Sequence, residues 1–436
     1  MEETQIEAHH TVLTMSIVGL RFCGIWRLDS SASIYIKQLH FLSSVIGMTV
    51  VLVLIATIAT DLVLNLNDLL IVTDNGCYLA GLSVILFKVY KFHTHHKRIQ
   101  KLTEAIYKPI QNIRQSVDPG VITILKSNTF YENIGFTFFT SMGGILMIAL
   151  IFFVPKNEGD LPIRAAYPFD TTISPMHEFA AVTQMFAVAY GLAAILLMDT
   201  IGLGFMRWIN VQLIILTSNY QNCTSQYQNK NHLNTSGNNV ELIKSDMSSW
   251  MAMDGSQDLT EISTFVPFMD NEFDVENNFI QRFKKCVINH RRLIRIIDDI
   301  NITFSGSMLM QLFASFTMIC LTGFQAVLGA KEKSNLMKFG IYLGAAFTQL
   351  LYWCWYGNEL FYQKHSLLVA QWMSGWENQL NSTSKILIIM SMIRTMQPLE
   401  LKAGAFFTMS METFITVVKS SYSFFALLTT VTTGEN

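Results

Sequence analysis

The residues best placed to do chemistry lie in the last apolar segment, PLELKAGAFFTMSMETFITVVKSSYSFFALLTTV, from Pro398 to Val431. Read as a helix long enough to cross a membrane, it carries Glu412, Lys419 and a run of Ser and Thr in its interior. Charged and hydroxylated groups at bilayer depth are costly and face protein or water rather than lipid. Ser423, Leu427, Thr430 and Val431 recur at i, i+4, i+7 and i+8, one face of such a helix, and Thr416 and Ser420 extend it downward. A small-polar stripe ending in aliphatic groups suits a water-filled passage closed by a hydrophobic constriction. The same stripe suits helix–helix contact, where Ser and Thr are also favoured. Lys419 weighs toward water. One helix cannot enclose a passage, so a passage implies several chains around an axis.

A second group of residues suits binding. Tyr78 lies in the second apolar block; Phe138, Ser141, Met142 and Ile145 in the third; Phe179, Thr183, Phe186 and Tyr190 in the fourth; Tyr342, Gln349 and Tyr352 in the sixth. Gly143, Gly144, Gly191, Gly340 and Gly344 lie among them, giving either close helix approach or room for a ligand. Aromatic walls with few hydroxyl or amide groups suit a small, mostly apolar ligand. For each residue taken singly, core packing is the competing assignment. Catalytic constellations are missing from the sequence. It holds no Gly-rich phosphate loop, nucleophile elbow or HExxH, so neither an enzyme nor a cofactor is expected. His93, His95 and His96 lack a neighbouring carboxylate or cysteine cluster, and a solvated helix end is expected there rather than a metal site.

The elements that must position these residues follow from composition. The chain is 51% apolar and 14% charged, against about a quarter charged in soluble domains. The deficit sits in long apolar blocks, so the chain reads as an all-α, polytopic membrane protein. A net charge of −2 argues against nucleic acid. Six scattered cysteines show neither a metal spacing nor a disulfide framework. The apolar run after His10 is short and broken, so no cleavable leader is expected.

A membrane-crossing helix needs about 20 apolar residues. Seven spans are predicted, near 38–64, 68–92, 128–154, 175–206, 302–328, 336–362 and 399–431. Segment 377–397 has too polar a start to be an eighth. Lys and Arg set the orientation, since cytoplasmic loops are enriched in them. Lys88, Lys91, Lys97, Arg98, Lys101, Lys108, Arg114 and Lys126 cluster after span two, and Arg282, Lys284, Lys285, Arg291, Arg292 and Arg295 precede span five. The joins on the other side are poor in them. The N-terminus is therefore placed in the cytoplasm and the C-terminus outside. Segment 175–219 would run about 67 Å as a helix, past a core of about 30 Å. Spans four to six are thus expected to continue into a cytoplasmic bundle. On this count Asp199, Asp298, Asp299 and Glu359 fall at or beyond the inner interface and are expected to be exposed there.

The resulting organisation is a cytoplasmic segment 1–37, spans one to four over 38–221 with a basic loop 88–126, an insertion 222–276, spans five and six with bundle helices over 277–397, and a pore-lining segment 398–436. The insertion is rich in Asn, Ser and Gln and is expected to be disordered. Sequons at Asn222, Asn234 and Asn381 fall on the cytoplasmic side, and Asn301 sits at a span's edge, so their glycosylation would report a reversed topology.

The C-terminal segment also carries a resemblance. Pro398-Leu399, Ala403-Gly404, Ser410-x-Glu412-Thr413-Phe414 and Lys419-Ser-Ser-Tyr-Ser-Phe-Phe425 resemble the terminal signature of insect odorant receptors. CWYGNELFYQKHSLLVAQWMSGW, with Cys354, Gly357, Ser366, Ala370 and Trp376, is a second match, and GLRFCGIW a weaker third. The Thr-Tyr-(apolar)-Gln-Phe ending of gustatory receptors is missing. The resemblance covers essentially the whole chain. It implies a seven-span subunit of an odorant-gated cation channel in the plasma membrane of olfactory neuron dendrites, assembled as a heterotetramer with a shared co-receptor. Its partners would be a small volatile odorant, co-receptor subunits and membrane lipid. The last helix would line the pore, with Leu427 and Val431 at the constriction and Thr430 beside them. Thr430 and a polar tail stand where the co-receptor usually has Gln and a terminal Lys, which implies a ligand-tuning subunit. The long insertion resembles the co-receptor's, so a co-receptor-like subunit is the alternative. A metabotropic seven-span receptor would need the opposite orientation, and the Asp-Arg-Tyr and Asn-Pro-x-x-Tyr motifs are missing.

Overall fold

The computed structural model describes residues 11–28, 32–152, 161–224, 262, 264–268, 278–328, 333–378 and 382–434. They form α1 (Thr11–Phe22), α2 (Ile34–Leu64), α3 (Leu69–Thr94), α4 (His96–Ile113), α5 (Pro119–Phe152), α6 (Met176–Gln221), α7 (Phe279–Leu328), α8 (Lys333–Trp372), α9 (Ser382–Thr395) and α10 (Met411–Gly434). A small antiparallel hairpin, β1 (Lys402–Ala403) with β2 (Phe407–Thr408), precedes α10. The long helices α2, α3, α5, α6, α7, α8 and α10 overlap the seven predicted spans in sequence, and among the described residues α2, α3, α6 and α7 are long and apolar enough to cross a membrane. On α2, apolar side chains such as Leu39, Leu42, Leu52 and Val63 stay exposed while Val51, Leu54 and Ile58 are buried. A helix apolar on all sides belongs in lipid.

The helices α6, α7 and α8 run 46, 50 and 40 residues, or about 69, 75 and 60 Å. Beyond membrane depth they continue as a packed bundle, as their lengths predicted. Phe205, Trp208, Leu213, Leu216 and Tyr220 of α6 are fully buried there, with Tyr107 of α4 and Phe283 and Leu293 of α7. The stretch read as a basic loop contains α4. Ile99, Leu102, Ile106, Ile110 and Ile113 recur at three or four residues and are buried, whereas Lys97, Lys101 and Lys108 are exposed. That amphipathic period is what docks the loop on α6 and α7.

Two expectations change. The last segment is not one helix from residue 399. Asn301 of α7 grips its start, its Nδ2 donating to the Glu400 carbonyl at 2.9 Å and its Oδ1 accepting from the Lys402 amide at 2.8 Å. Gly404 adopts φ +66° and its amide donates to the Ser305 carbonyl at 2.9 Å. A side chain at this φ is strained, and main-chain groups spent on α7 cannot build a helix. Helix α10 begins only at Met411, where the Ser410 hydroxyl accepts from the Thr413 amide at 3.2 Å.

The insertion is likewise not uniformly loose. Phe265, Val266 and Phe268 are buried, and the Asn219 side chain pairs with both main-chain groups of Val266 at 2.7 Å. Apolar side chains inside a polar stretch anchor it to the bundle. Residues 225–261, 263 and 269–277 lie outside the described residues, as do Asn234 and Asn381. Asn222 donates to the Ser218 hydroxyl and the Ile262 carbonyl.

Candidate ligand site and pore-facing helix

The strongest polar feature among the described residues is a closed ring of four side chains. Lys88 of α3 donates to Asp199 of α6 at 2.5 Å and to Gln311 of α7 at 2.8 Å. Gln311 donates to Gln349 of α8 at 3.1 Å, and Gln349 donates to Asp199 at 2.6 Å. The ring ties four helices together. Asp199 stands about 35 Å below the start of α6, yet it is buried rather than exposed. The expectation of solvent exposure is overturned, because α3, α7 and α8 extend equally deep and close over it. Of the other three carboxylates, Asp298 is exposed and Asp299 and Glu359 are half-buried.

The twelve predicted binding residues fall into separate places. Tyr78 and Tyr342 meet edge to face at 6.1 Å, with Phe339 at 6.4 Å from Tyr342. Both tyrosines lie nine residues from the outer ends of their helices, about 14 Å down. Phe138 stacks on Tyr352 at 6.0 Å, and Phe139 meets Tyr352 edge on at 4.9 Å. That cluster lies ten residues further along α8, about 15 Å deeper. It borders a narrow cleft shared with Glu132, Arg207 and Tyr356, with room for about one water. Gln349 belongs to the buried ring. Tyr190 is buried, donates to the Cys23 carbonyl at 3.1 Å and fills the space left by Gly47 of α2. Phe179, Phe186, Ser141 and Ile145 are exposed, whereas Met142 and Thr183 are half-buried.

The glycines separate the two roles that spacing left open. A Cβ on Gly143 would strike Leu196, and one on Gly191 would stand 3.1 Å from Ile85, so these serve close helix approach. Gly340 and Gly344 meet nothing within 4 Å, as does Gly144. Gly340 and Gly344 stand one turn apart on α8, flanking Tyr342 in sequence. Residues two apart lie about 200° round a helix, so the open side at Gly340 and Gly344 faces away from Tyr342 and does not adjoin the Tyr78–Tyr342 pair.

On α10 one face is packed and one is bare. Phe414 meets Phe347 of α8 at 6.2 Å, and Ser421 is fully buried against the Phe316 carbonyl of α7. The opposite face carries Glu412, Thr416, Lys419, Ser423, Leu427 and Thr430, all exposed. Their spacing of three and four residues makes one continuous stripe. Thr416, Ser423 and Thr430 each donate to a carbonyl of their own helix, which leaves lone pairs facing outward. Leu427 is 56% exposed in the middle of this polar row. Val431 continues the helix, and its side chain lies outside the described residues.

Sequence reasoning treated Lys88 as an orientation marker and Asp199 as an interfacial charge. Both sit within predicted spans, and an ionisable residue there is a signal for a specific partner. Among the described residues no cluster of His, Cys, Asp or Glu is arranged to hold a metal ion. His96 instead accepts from Arg27 at 2.8 Å, and His93 lies 3.3 Å from the Ser44 hydroxyl.

Comparison with known proteins follows from this geometry. Residues 68–422 match the family model described as 7tm Odorant receptor. The chain is 24% identical over 357 residues to Odorant receptor Or1 of Anopheles gambiae, covering 79% of this chain and 77% of that one. It is 21% identical over 370 residues to Odorant receptor 47b of Drosophila melanogaster, covering 81% and 76%. Its fold resembles that of the olfactory receptor OR5 of Machilis hrabei solved with eugenol, with a TM-score of 0.74 over 98% of this chain and 99% of that one at 14% identity.

Proposed function

The chain belongs to the insect odorant receptor family, a multi-pass membrane protein, and from that premise we propose that it is the ligand-tuning subunit of an odorant-gated cation channel. In this reading a small volatile binds in the outer half of the helix bundle, against Tyr78 and Tyr342. The bare stripe of α10 lines the pore, with Leu427 and Val431 as its hydrophobic constriction and Lys419 in water. Co-receptor subunits complete a heterotetramer in the plasma membrane of olfactory neurons. The exposed aliphatic side chains of α9, including Ile386, Ile389 and Ile393, lie on the cytoplasmic side of the orientation and support burial against a neighbouring subunit.

The observation that carries the reading is the composition of α8. This single helix bears Tyr342 in the outer half, Gln349 in the buried ring, Phe347 against Phe414 of the pore helix, and Gly357 packed on the Met409 carbonyl just before α10. A ligand that favours one position of α8 is therefore linked to the base and the side of α10. Binding shifts the population toward the open state by as much as it prefers that state. The test is electrical. The chain is expressed with and without the co-receptor and challenged with a panel of volatiles. Odorant-evoked cation current that needs both proteins supports the proposal; odorant responses that run through G proteins with no ligand-gated conductance would remove it.

A further inference from the structure

At the corner where α1 leads into α2 and α3 turns into α4, an open cleft of about 770 Å³ is lined by Arg27, Lys37, His40, His96 and Lys97, with Phe41 at its edge. No acidic side chain lines it among the described residues. The wall is built from held parts. His96 Nδ1 donates to the His93 carbonyl at 3.0 Å, which leaves Nε2 to accept from Arg27 Nη1 at 2.8 Å. His40 Nε2 donates to the Trp26 carbonyl at 2.9 Å, fixing the chain before Arg27 to α2.

The cleft does not open onto a purely polar surface. Tyr35, Leu39, Phe41 and Leu42 on the first turns of α2 are exposed, Phe41 at 70%. They begin the apolar surface that α2 carries into the bilayer. A cationic recess at the foot of an exposed apolar row matches a phospholipid, headgroup in the recess and acyl chains along the helix. The guanidinium fork of Arg27 suits a phosphate in particular.

We propose that this corner is a binding site for an inner-leaflet phospholipid whose headgroup bears phosphomonoesters. The assignment rests on the orientation that places the start of α2 in the cytoplasm, and it is independent of the odorant-gated channel reading. A soluble phosphate compound would use the cationic recess and leave the apolar row uncovered.

The experiment uses the full chain, purified and equilibrated with phosphatidylcholine vesicles containing a minor fraction of phosphatidylinositol bisphosphate. Native mass spectrometry then reads the lipid retained. The unmodified chain should retain the bisphosphate lipid, and Arg27→Gln with Lys97→Gln should lower retention about tenfold. Lys97→Gln alone changes one exposed side chain and should give a smaller fall, which keeps the test alive if the pair fails to fold. Lys126→Gln, on an exposed side chain of α5 away from the cleft, should leave retention unchanged. Equal loss from Lys126→Gln would reduce the effect to diffuse surface charge and overturn the site. Soluble inositol trisphosphate binding as tightly as the lipid would also overturn it. No odorant and no current enter the measurement, so its failure and that of the channel reading are distinguishable.

Discussion

Lys88 and Asp199, 111 residues apart in sequence, meet at 2.5 Å with their side chains 5% and 3% exposed. Gln311 and Gln349 take up further hydrogen-bonding capacity of the pair. Removing one member of a buried ion pair leaves an uncompensated charge and costs about 3–5 kcal/mol, whereas replacing both by apolar groups of similar size is often neutral. Lys88→Met or Asp199→Leu alone should therefore abolish most surface expression. The double variant should recover much of it, as read by surface labelling and thermal unfolding. A double variant no better than either single would show that the two residues are not coupled.

The exposed stripe of α10 makes an electrical prediction. Leu427 is the aliphatic residue exposed within a row of Ser and Thr. Leu427→Ser should raise current in the absence of odorant, or alter relative cation permeability, because a hydrophobic constriction closes by excluding water. Channels with unchanged basal current and selectivity would take Leu427 out of the constriction.

The two aromatic clusters should respond differently. Tyr342→Ala removes the ring that meets Tyr78 in the outer half of the bundle and should reorder odorant potencies by about tenfold at normal surface expression. Tyr352→Ala removes the ring that joins Phe138 and Phe139 to α8, and should lower expression with little reordering. Dose–response series paired with surface labelling separate the outcomes; the reverse pattern would move the ligand to the deeper cluster.

Gly357 tests the joint between α8 and the start of α10. A Cβ there would collide with the Met409 carbonyl oxygen and stand 3.0 Å from the Met409 Cβ. Backbone cannot yield as a flexible side chain does, so Gly357→Ala should cost about 1–3 kcal/mol. Odorant efficacy should fall further than odorant potency. Wild-type unfolding and gating in this variant would show that the contact is slack.

His290 supplies a pH dependence. It lies in the first quarter of α7, outside the predicted span 302–328, and is buried. Burial first, and the charge of Arg394 second, push its pKa down to about 4 from 6.5. Between those values the unfolded chain takes up a proton that the folded chain does not. Stability is thus lost as pH falls from about 7 toward 4, by up to about 3 kcal/mol. The melting temperature of the purified chain should drop over that range, and His290→Gln should flatten the drop.

Much of this was legible in the sequence, and the successes share a cause. Helical class, the overlong helices and the α10 stripe are sums or periodicities along one stretch of chain. Hydropathy, the 1.5 Å rise and the 3.6-residue turn act locally, so no partner need be known. The exposed row Glu412, Thr416, Lys419, Ser423, Leu427 and Thr430 is that kind of fact. What the tertiary structure alone decided concerns offsets between helices. Periodicity does not state how far α3 slides along α6, so Lys88 looked like a loop charge and Asp199 like an exposed one. The same offset sends Tyr342 beside Tyr78 and Tyr352 to Phe138. It turns Gly143 toward a neighbour and leaves Gly340 facing open space. The hairpin before α10 is another case, because Asn301, nearly a hundred residues earlier, supplies the hydrogen bonds that replace a helical turn. Along the chain, spacing fixes which residues share a face. Only packing fixes what that face meets, because axial shift and rotation are set by the fit of all the helices at once.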